Sequence, residues 1–300
     1  MGCRFGALED LARLKKRPLI LFGAGGRLGR AVADAAARRG IRVDTIRWTE
    51  TRAWIRTERW TEIQRAVASY TGVDILFASG LTDPQAPAED LMLGNVEIPT
   101  RVIDATASDP RYRYITIGSV LENFAKLAAH NRYLASKAAL SARIQAFKDD
   151  LRLKGRIVHL RLHTLYGGPP APHSFLGQIY ESLLTQRPFL MSAGRQLREY
   201  SYVADVASSI MALQARNWQK SMVFDLSTGQ PVTLRQLALA VFRAFNCEEL
   251  LRIGALPTPE GENDAVYFTP SPAWLLGKPR DPVEGIIEWL SALLGRRRGG

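Results

Sequence analysis

The sequence predicts an α/β chain built on a doubly wound parallel sheet, with a smaller carboxyl-terminal lobe. Three observations predict it. Short apolar runs alternate with helical stretches from residue 18 to about residue 160, the pattern of a parallel sheet covered on both faces. The first of these runs, Pro18-Leu19-Ile20-Leu21-Phe22, ends on the glycine-rich turn Gly23-Ala24-Gly25-Gly26-Arg27-Leu28-Gly29. Composition agrees: 300 residues, 46% apolar and 23% charged, suffice for one large α/β domain plus an appended lobe.

The elements follow in order. Residues 1–17 form an extension, read as a short basic helix. Residues 18–165 form the main domain. Residues 166–300 form mainly the lobe, with segments returning to the main domain. After the glycine turn, Arg30 to Arg39 reads as an Ala-rich helix closed by Gly40. Ile41 to Arg47 is the second strand. Further on, Asp205 to Arg216 reads as a helix returning to the main domain. Phe189 and Met191 sit on a short strand or pocket wall. Met222 to Leu226 reads as a strand, and Thr233 to Phe245 as an amphipathic helix capped by Thr233. Gly261 to Pro272 is polar and turn-rich. Pro282 to Leu294 reads as a final helix, and Arg296-Arg297-Arg298 as a disordered basic tail.

The glycine turn sits between a strand and a helix, the context that gives it chemical meaning. Gly23, Gly26 and Gly29 let the backbone turn tightly, approach a pyrophosphate and pack helix on strand. Free N–H groups and the dipole at the helix N-terminus favour the anion. This is a Rossmann-type dinucleotide site, with Arg27 and Leu28 within the loop. The end of the second strand selects the cofactor. A carboxylate there bonds the ribose of NAD, whereas an Arg binds the 2′-phosphate of NADP. Arg47 holds that place, followed by Trp48 and Thr49, with Arg52 nearby. Asp44 lies three residues earlier, inside the strand. Guanidinium groups bind phosphate bidentately, so NADPH is expected over NADH.

Tyr133 and Lys137 stand four apart in Asn131-Arg132-Tyr133-Leu134-Ala135-Ser136-Lys137, before the helix-forming run Ala138-Ala139-Leu140. On a helix they share one face, with Cβ atoms about 5–6 Å apart. A free phenol, with a pKa of about 10, exchanges protons poorly at neutral pH. A neighbouring cation stabilises the phenolate, so Lys137 is expected to pull Tyr133 down.

Together these segments resemble the short-chain dehydrogenase/reductase superfamily, most closely its extended, nucleotide-sugar branch (NAD-dependent epimerase/dehydratase). Val73-Asp74-Ile75-Leu76-Phe77-Ala78-Ser79-Gly80 resembles the strand lining the cofactor's far side, which assigns Ala78, Ser79 and Gly80 to cofactor binding. Asn95-Val96 opens a segment like the family's next helix. Tyr112 to Ser119 resembles the strand that delivers the catalytic serine. Leu160 to Gly167 is similar to the family's Arg-rich "YG" strand and turn. Gln196 to Val206 is close to its late "R-D-x-x-x-V-x-D-V" block. The likeness spans roughly residues 18 to 290.

A carbonyl accepting hydride develops charge on oxygen and needs a proton donor and a hydrogen-bond partner there. Tyr133 is the expected acid in reduction and base in oxidation. By resemblance, Lys137 holds the nicotinamide ribose and Ser119 bonds the carbonyl and orients the substrate. Thr116, earlier in the same strand, is the weaker substitute for Ser119. In the lobe, Arg198 matches the family arginine that clamps a nucleotide diphosphate, a planar and permanently charged donor. Thr164 stands where many epimerases carry Asn and reductase-like members carry Thr. The loop Gly168-Pro169-Pro170-Ala171-Pro172-His173 reads as a cover over the site, with His173 a candidate substrate contact.

The chain also departs from the family pattern. The 14-residue spacing from Ser119 to Tyr133 is nearer the short branch. Leu121-Glu122-Asn123-Phe124 replaces the usual Tyr-Gly after the serine. Val120-Leu121 replaces the dehydratases' Asp-Glu, which argues against water elimination. Phe22 replaces the Thr or Ser before the first glycine.

Charge and cysteine usage bound the setting. Residues 1–70 carry 15 Lys/Arg against 7 Asp/Glu, most of the net +11. An anionic cofactor and anionic substrate account for that bias without a nucleic-acid motif. Cys3 and Cys247 make no disulfide framework and the apolar runs are too short for a bilayer, so a cytoplasmic enzyme is expected, with no metal. Resemblance adds a homodimer. The reading is an NADPH-dependent reductase acting on a keto group, at C4, of a nucleotide-activated sugar. The alternatives are a nucleotide-sugar 4-epimerase, a reductase of a non-sugar carbonyl, and a non-catalytic NADP-binding sensor.

Overall fold

A computed structural model of the chain describes residues 16–47, 58–124, 131–258, 271, 275 and 280–298. Most of the expected basic extension, together with Trp48, Thr49, Arg52 and nearly all of the Gly261 to Pro272 stretch, lies outside the described residues. The chain divides into two compact units: residues 1–161 with 207–224, and residues 162–206 with 225–300.

The first unit is a six-stranded sheet with helices, a Rossmann-like arrangement. Its strands are β1 (Leu19–Phe22), β2 (Val43–Ile46), β3 (Val73–Phe77), β4 (Tyr112–Ser119), β5 (Ile157–Leu162) and β10 (Met222–Leu226), in the order β10-β5-β4-β3-β1-β2. β1 pairs in parallel with β2 on one side and β3 on the other. The chain therefore winds one way from β1 to β2, then crosses back to β3. Such a reversal leaves a crevice beyond the carboxyl ends of β1 and β3, where ligands bind in this class of sheet. Phe22 faces Phe77 at the last paired position, so Gly23 and Ala78 both emerge at that crevice.

All residues of β1 and β3 are buried, as strands covered on both faces must be. Helices α1 (Arg27–Arg38), α2 (Glu58–Ala66), α3 (Ala88–Met92), α4 (Ile98–Thr106) and α5 (Arg132–Asp149) accompany the sheet. Ile20, Phe22, Ile75 and Phe77 join Ile63, Val102, Tyr114 and Ile144 in one apolar core.

One charge in β3 is fully buried. Asp74 accepts from Arg17 Nε at 2.7 Å and from Arg113 Nε and Nη2 at 2.7 and 2.8 Å. Arg113 also donates to the carbonyls of Gln214 and Arg216, and its guanidinium lies 4.2 Å from the Trp218 ring. These contacts fasten the returning segment 207–224 to the sheet. That segment holds the end of α7 (Val203–Gln214) and most of β10.

In the second unit, β6 (Thr164–Tyr166) pairs in parallel with β9 (Tyr200–Tyr202), and β7 (Phe189–Met191) with β12 (Leu251–Ile253). β8 (Leu197–Arg198) runs antiparallel to β11 (Val232–Thr233). Helices α6 (Phe175–Thr185), α8 (Leu234–Ala244) and α9 (Pro282–Arg298) pack on a core that includes Tyr166, Ile179, Phe189, Leu237, Phe242 and Ile286. Thr233 caps α8 through a reciprocal box with Gln236, as expected of that residue type. One expectation fails here: the helix begun at Pro282 does not end near Leu294 but runs through Arg298. The backbone of the basic run is helical. Gly295 costs about 1 kcal/mol within a helix, but the arginines after it carry little penalty and no proline intervenes, so the helix continues.

Candidate active site

The glycine turn forms a cradle at the crevice. A Cβ on Gly23 would lie 2.5 Å from the backbone of Ala78 and Ser79, and Gly23 has φ +85°. A Cβ on Gly29 would lie 2.1 Å from the Gly23 carbonyl oxygen. Any side chain at either position collides with backbone, so strand and helix approach this closely only with glycine. Gly26 is the N-cap of α1 and brings no side chain to the first turn, which contains no acidic residue. The N–H groups of that turn face the crevice end without a side-chain cap, the arrangement that receives an anion. Leu28 is buried under the turn, while burial holds the Arg27 guanidinium below its ordinary value.

The opposite wall is the run Ala78-Ser79-Gly80 after β3. A Cβ on Gly80 would lie 2.4 Å from Asn95 Oδ1 and 3.0 Å from Lys137 Nζ. Ser79 Oγ and Asn95 Oδ1 are buried without a hydrogen-bond partner. Two orphaned polar atoms beside a glycine cradle fit a bound dinucleotide, because a ligand of that kind supplies the missing partners.

Asn95 was foreseen as a helix opening and not as a site residue. It lies in a π-helical stretch, Leu93–Glu97, joining α3 to α4. Such bulges recur at functional sites, and periodicity in the sequence does not reveal them. Its Nδ2 donates to the Leu81 carbonyl at 3.0 Å and to Ser136 Oγ at 2.8 Å; Ser136 donates in turn to the Tyr133 carbonyl at 2.7 Å.

Tyr133 sits in the first turn of α5. That helix starts where Asn131 caps it, its Oδ1 accepting from Leu134 N–H at 3.1 Å. Tyr133 is partly buried and Lys137 fully so, with Lys137 Nζ 5.9 Å from the Tyr133 ring centroid. Lys137 Nζ donates to the Ile117 carbonyl at 2.8 Å. Ser119 closes β4, caps the 3₁₀ turn Val120–Asn123 and lies near enough to the Tyr133 phenol to pull its proton affinity down. The structure thus brings Ser119, Tyr133 and Lys137 together. Thr116 instead turns to His159, its Oγ1 2.7 Å from His159 Nδ1.

The electrostatics correct one expectation. Burial pushes the Tyr133 phenol up to about 12, outweighing the downward pull of Ser119. Lys137 does not lower it here. The ammonium is itself desolvated, and burial brings it down to about 8, against the pull of Glu122 upwards. With its own value at about 8, Lys137 has shed its proton before the phenol titrates and brings it no positive charge.

At the cofactor-selecting strand end, Arg47 is exposed just beyond β2. Asp44 is buried and takes two hydrogen bonds from Arg42, at 2.7 and 3.0 Å.

The remaining candidates belong to the second unit. Thr164 is exposed and donates its N–H to the Glu199 carbonyl at 3.2 Å. Arg198 donates to the Leu197 carbonyl at 2.7 Å. Glu199 accepts from Ser227 Oγ at 2.7 Å and from the Thr228 amide, and Asp205 pairs with Arg280 at 3.1 Å. His173 is exposed ahead of α6. Pro169, Pro170 and Pro172 wall a hollow of about 510 Å³ with Gly177, Tyr180, Glu181 and Leu293. No group of metal-ligating side chains occurs among the described residues, and none of their helices is long and apolar enough to cross a membrane.

Comparison with known proteins gives the family and the fold. Residues 19–224 match the family model described as the NAD dependent epimerase/dehydratase family. No curated protein sequence matches the chain. Among solved structures, the fold is similar to UDP-N-acetylglucosamine 4-epimerase from Methanobrevibacter ruminantium (TM-score 0.73, 13% identity, 94% of this chain and 99% of that one). It is similar to UDP-glucose 4-epimerase from Thermus thermophilus (0.69, 18%, 93% and 99%). It also resembles dTDP-glucose 4,6-dehydratase from Bacillus anthracis (0.68, 9%, 92% and 97%). With more than half of its length matched by the family model, the chain belongs to the NAD dependent epimerase/dehydratase family.

Proposed function

We propose that this protein is an NADPH-dependent reductase of a keto group, at C4, in a nucleotide-activated sugar. The observation that carries the reading is the meeting of Ser119, Tyr133 and Lys137 beside the glycine cradle. Bound NADPH supplies the hydride; this chain supplies the proton and the geometry. Tyr133 gives its proton to the oxygen that gains charge. Ser119 donates a hydrogen bond to that oxygen and holds it in register. Lys137 and Asn95 line the wall where the cofactor's ribose belongs. A phenol raised to about 12 keeps its proton at neutral pH. Arg47 and Thr164 favour a net reductase over a 4-epimerase.

The preference for NADPH rests on β2. Asp44 is occupied by Arg42, and the residue at the strand's exposed end is Arg47. Arg198, Thr164 and His173 are the substrate contacts we assign in the second unit. Similar folds are named for UDP- and dTDP-linked sugars, which supports that substrate class. The enzyme is read as a cytoplasmic homodimer.

The test is NADPH oxidation with a panel of nucleotide-linked 4-keto sugars. Net, stoichiometric NADPH consumption is expected; interconversion of sugars without net consumption identifies a 4-epimerase. Wild type should favour NADPH over NADH by about tenfold or more in kcat/KM, the equivalent of about 1.4 kcal/mol. Arg47→Ala should erase that preference while leaving NADH turnover in place. Equal use of both cofactors by wild type refutes the NADPH assignment. Arg198→Ala should raise KM for the sugar and not for NADPH.

A further inference from the structure

Behind Ser119 lies a polar chain that proton transfer does not itself require. Glu122, from the turn after β4, and His159, from β5, have side chains with no exposure at all. Glu122 Oε1 lies 3.1 Å from His159 Nε2, and Oε2 accepts the Ser119 N–H at 3.0 Å. His159 Nδ1 lies 2.7 Å from Thr116 Oγ1. In the tautomer of His159 with its proton on Nε2, that N–H donates to Glu122 Oε1 and the Thr116 hydroxyl donates to Nδ1. Each polar atom in the chain has a partner. Gly118 makes the room: a Cβ there would lie 2.3 Å from His159 Nε2 and 2.4 Å from Glu122 Oε2.

A buried carboxylate costs several kcal/mol unless it is paired and hydrogen-bonded. Here that cost is met directly beside Ser119, whose N–H the carboxylate accepts. The titratable groups facing one another are Glu122 from the turn, His159 from β5, and Tyr133 and Lys137 from α5. The Glu122 charge holds the protons of both Tyr133 and Lys137 more tightly.

We propose that Glu122, locked by His159 and Thr116, is a positioning residue of the reaction centre. It fixes Ser119 at the end of β4 and keeps a buried negative charge beside Tyr133 and Lys137. The inference rests on the reading of these three residues as the reacting groups.

Glu122→Gln tests it, because glutamine keeps the shape and an acceptor for Ser119 N–H but removes the charge. The Tyr133 phenol is followed by carbon-13 NMR of labelled tyrosine across alkaline pH, with Tyr133→Phe identifying its resonance. Removing the charge should lower the phenol's midpoint by about one pH unit. An unmoved midpoint overturns the proposal. Turnover should fall about tenfold with KM for NADPH unchanged. The titration needs no substrate, so it decides the inference even where no nucleotide sugar is turned over; that failure counts against the functional reading alone. Should Glu122→Gln not fold, His159→Gln carries the test, keeping the Glu122 charge while removing the imidazole. Protection of the Ser119 amide from hydrogen exchange should then fall about tenfold, with the phenol midpoint in place. Wild-type protection there overturns the proposal.

Discussion

Tyr133 shows how far spacing carries an argument and where it stops. Four residues before Lys137, on a helix opened by Asn131, it was legible as a proton-handling group. Tyr133→Phe should cut turnover by roughly 10²–10⁴-fold while leaving NADPH binding intact, measured by single-turnover kinetics and cofactor titration. Its proton affinity was not legible, because burial is a property of neighbours brought from other elements. The same holds for Glu122 and His159, which are 37 residues apart in sequence and meet only once β4 and β5 lie side by side. The Asp44–Arg42 pair was within reach of the sequence, since residues two apart on a strand share a face. The buried groups also set a pH profile for stability. Lys137 is lowered to about 8 from 10.5, so across that window the unfolded chain binds more protons and stability from this group rises with pH. Tyr114 and Tyr133 are raised from 10.0 to about 12, so their contribution is complete below pH 10 and is lost as pH climbs towards 12. Denaturant midpoints should therefore hold or rise from pH 8 to 10 and fall beyond.

At the scale of elements, the β1–turn–α1 unit was the most legible part of the chain. A buried strand, three spaced glycines and an alanine-rich helix each point to the same local structure. The contacts add the reason for two of the glycines, whose Cβ positions are already filled by backbone. Gly29→Ala must push α1 away from the Gly23 carbonyl. It should cost about 1–3 kcal/mol in denaturant unfolding and weaken NADPH binding in a fluorescence titration. Elements without a pattern were less legible. Asn95-Val96 was expected to open a helix, whereas the π-helical stretch Leu93–Glu97 joins a helix already begun at Ala88 to the next one. The carboxyl-terminal helix outruns its expected end because a run of arginines reads as a charged tail or a solvated helix face equally well.

At the scale of the whole molecule, the returning segment 207–224 matters most. The alternation of strands and helices made the sheet legible, but the partners of Asp74 were not. Arg17 is 57 residues away in sequence, Arg113 is 39, and Gln214 and Arg216 lie about a hundred beyond Arg113. Asp74→Ala leaves two guanidiniums without their buried carboxylate. It should destabilise the protein by about 3–5 kcal/mol in urea unfolding, well above a typical surface change. The same closure has a consequence for synthesis. β5 ends at Leu162 and its neighbour β10 begins at Met222, so the ribosome must make the intervening stretch of roughly 60 residues first. At about 5–20 residues per second, a nascent chain spends several seconds with Ile157–Leu162 as a bare sheet margin. That apolar margin, awaiting its last strand, is where chaperone engagement or aggregation during translation would begin.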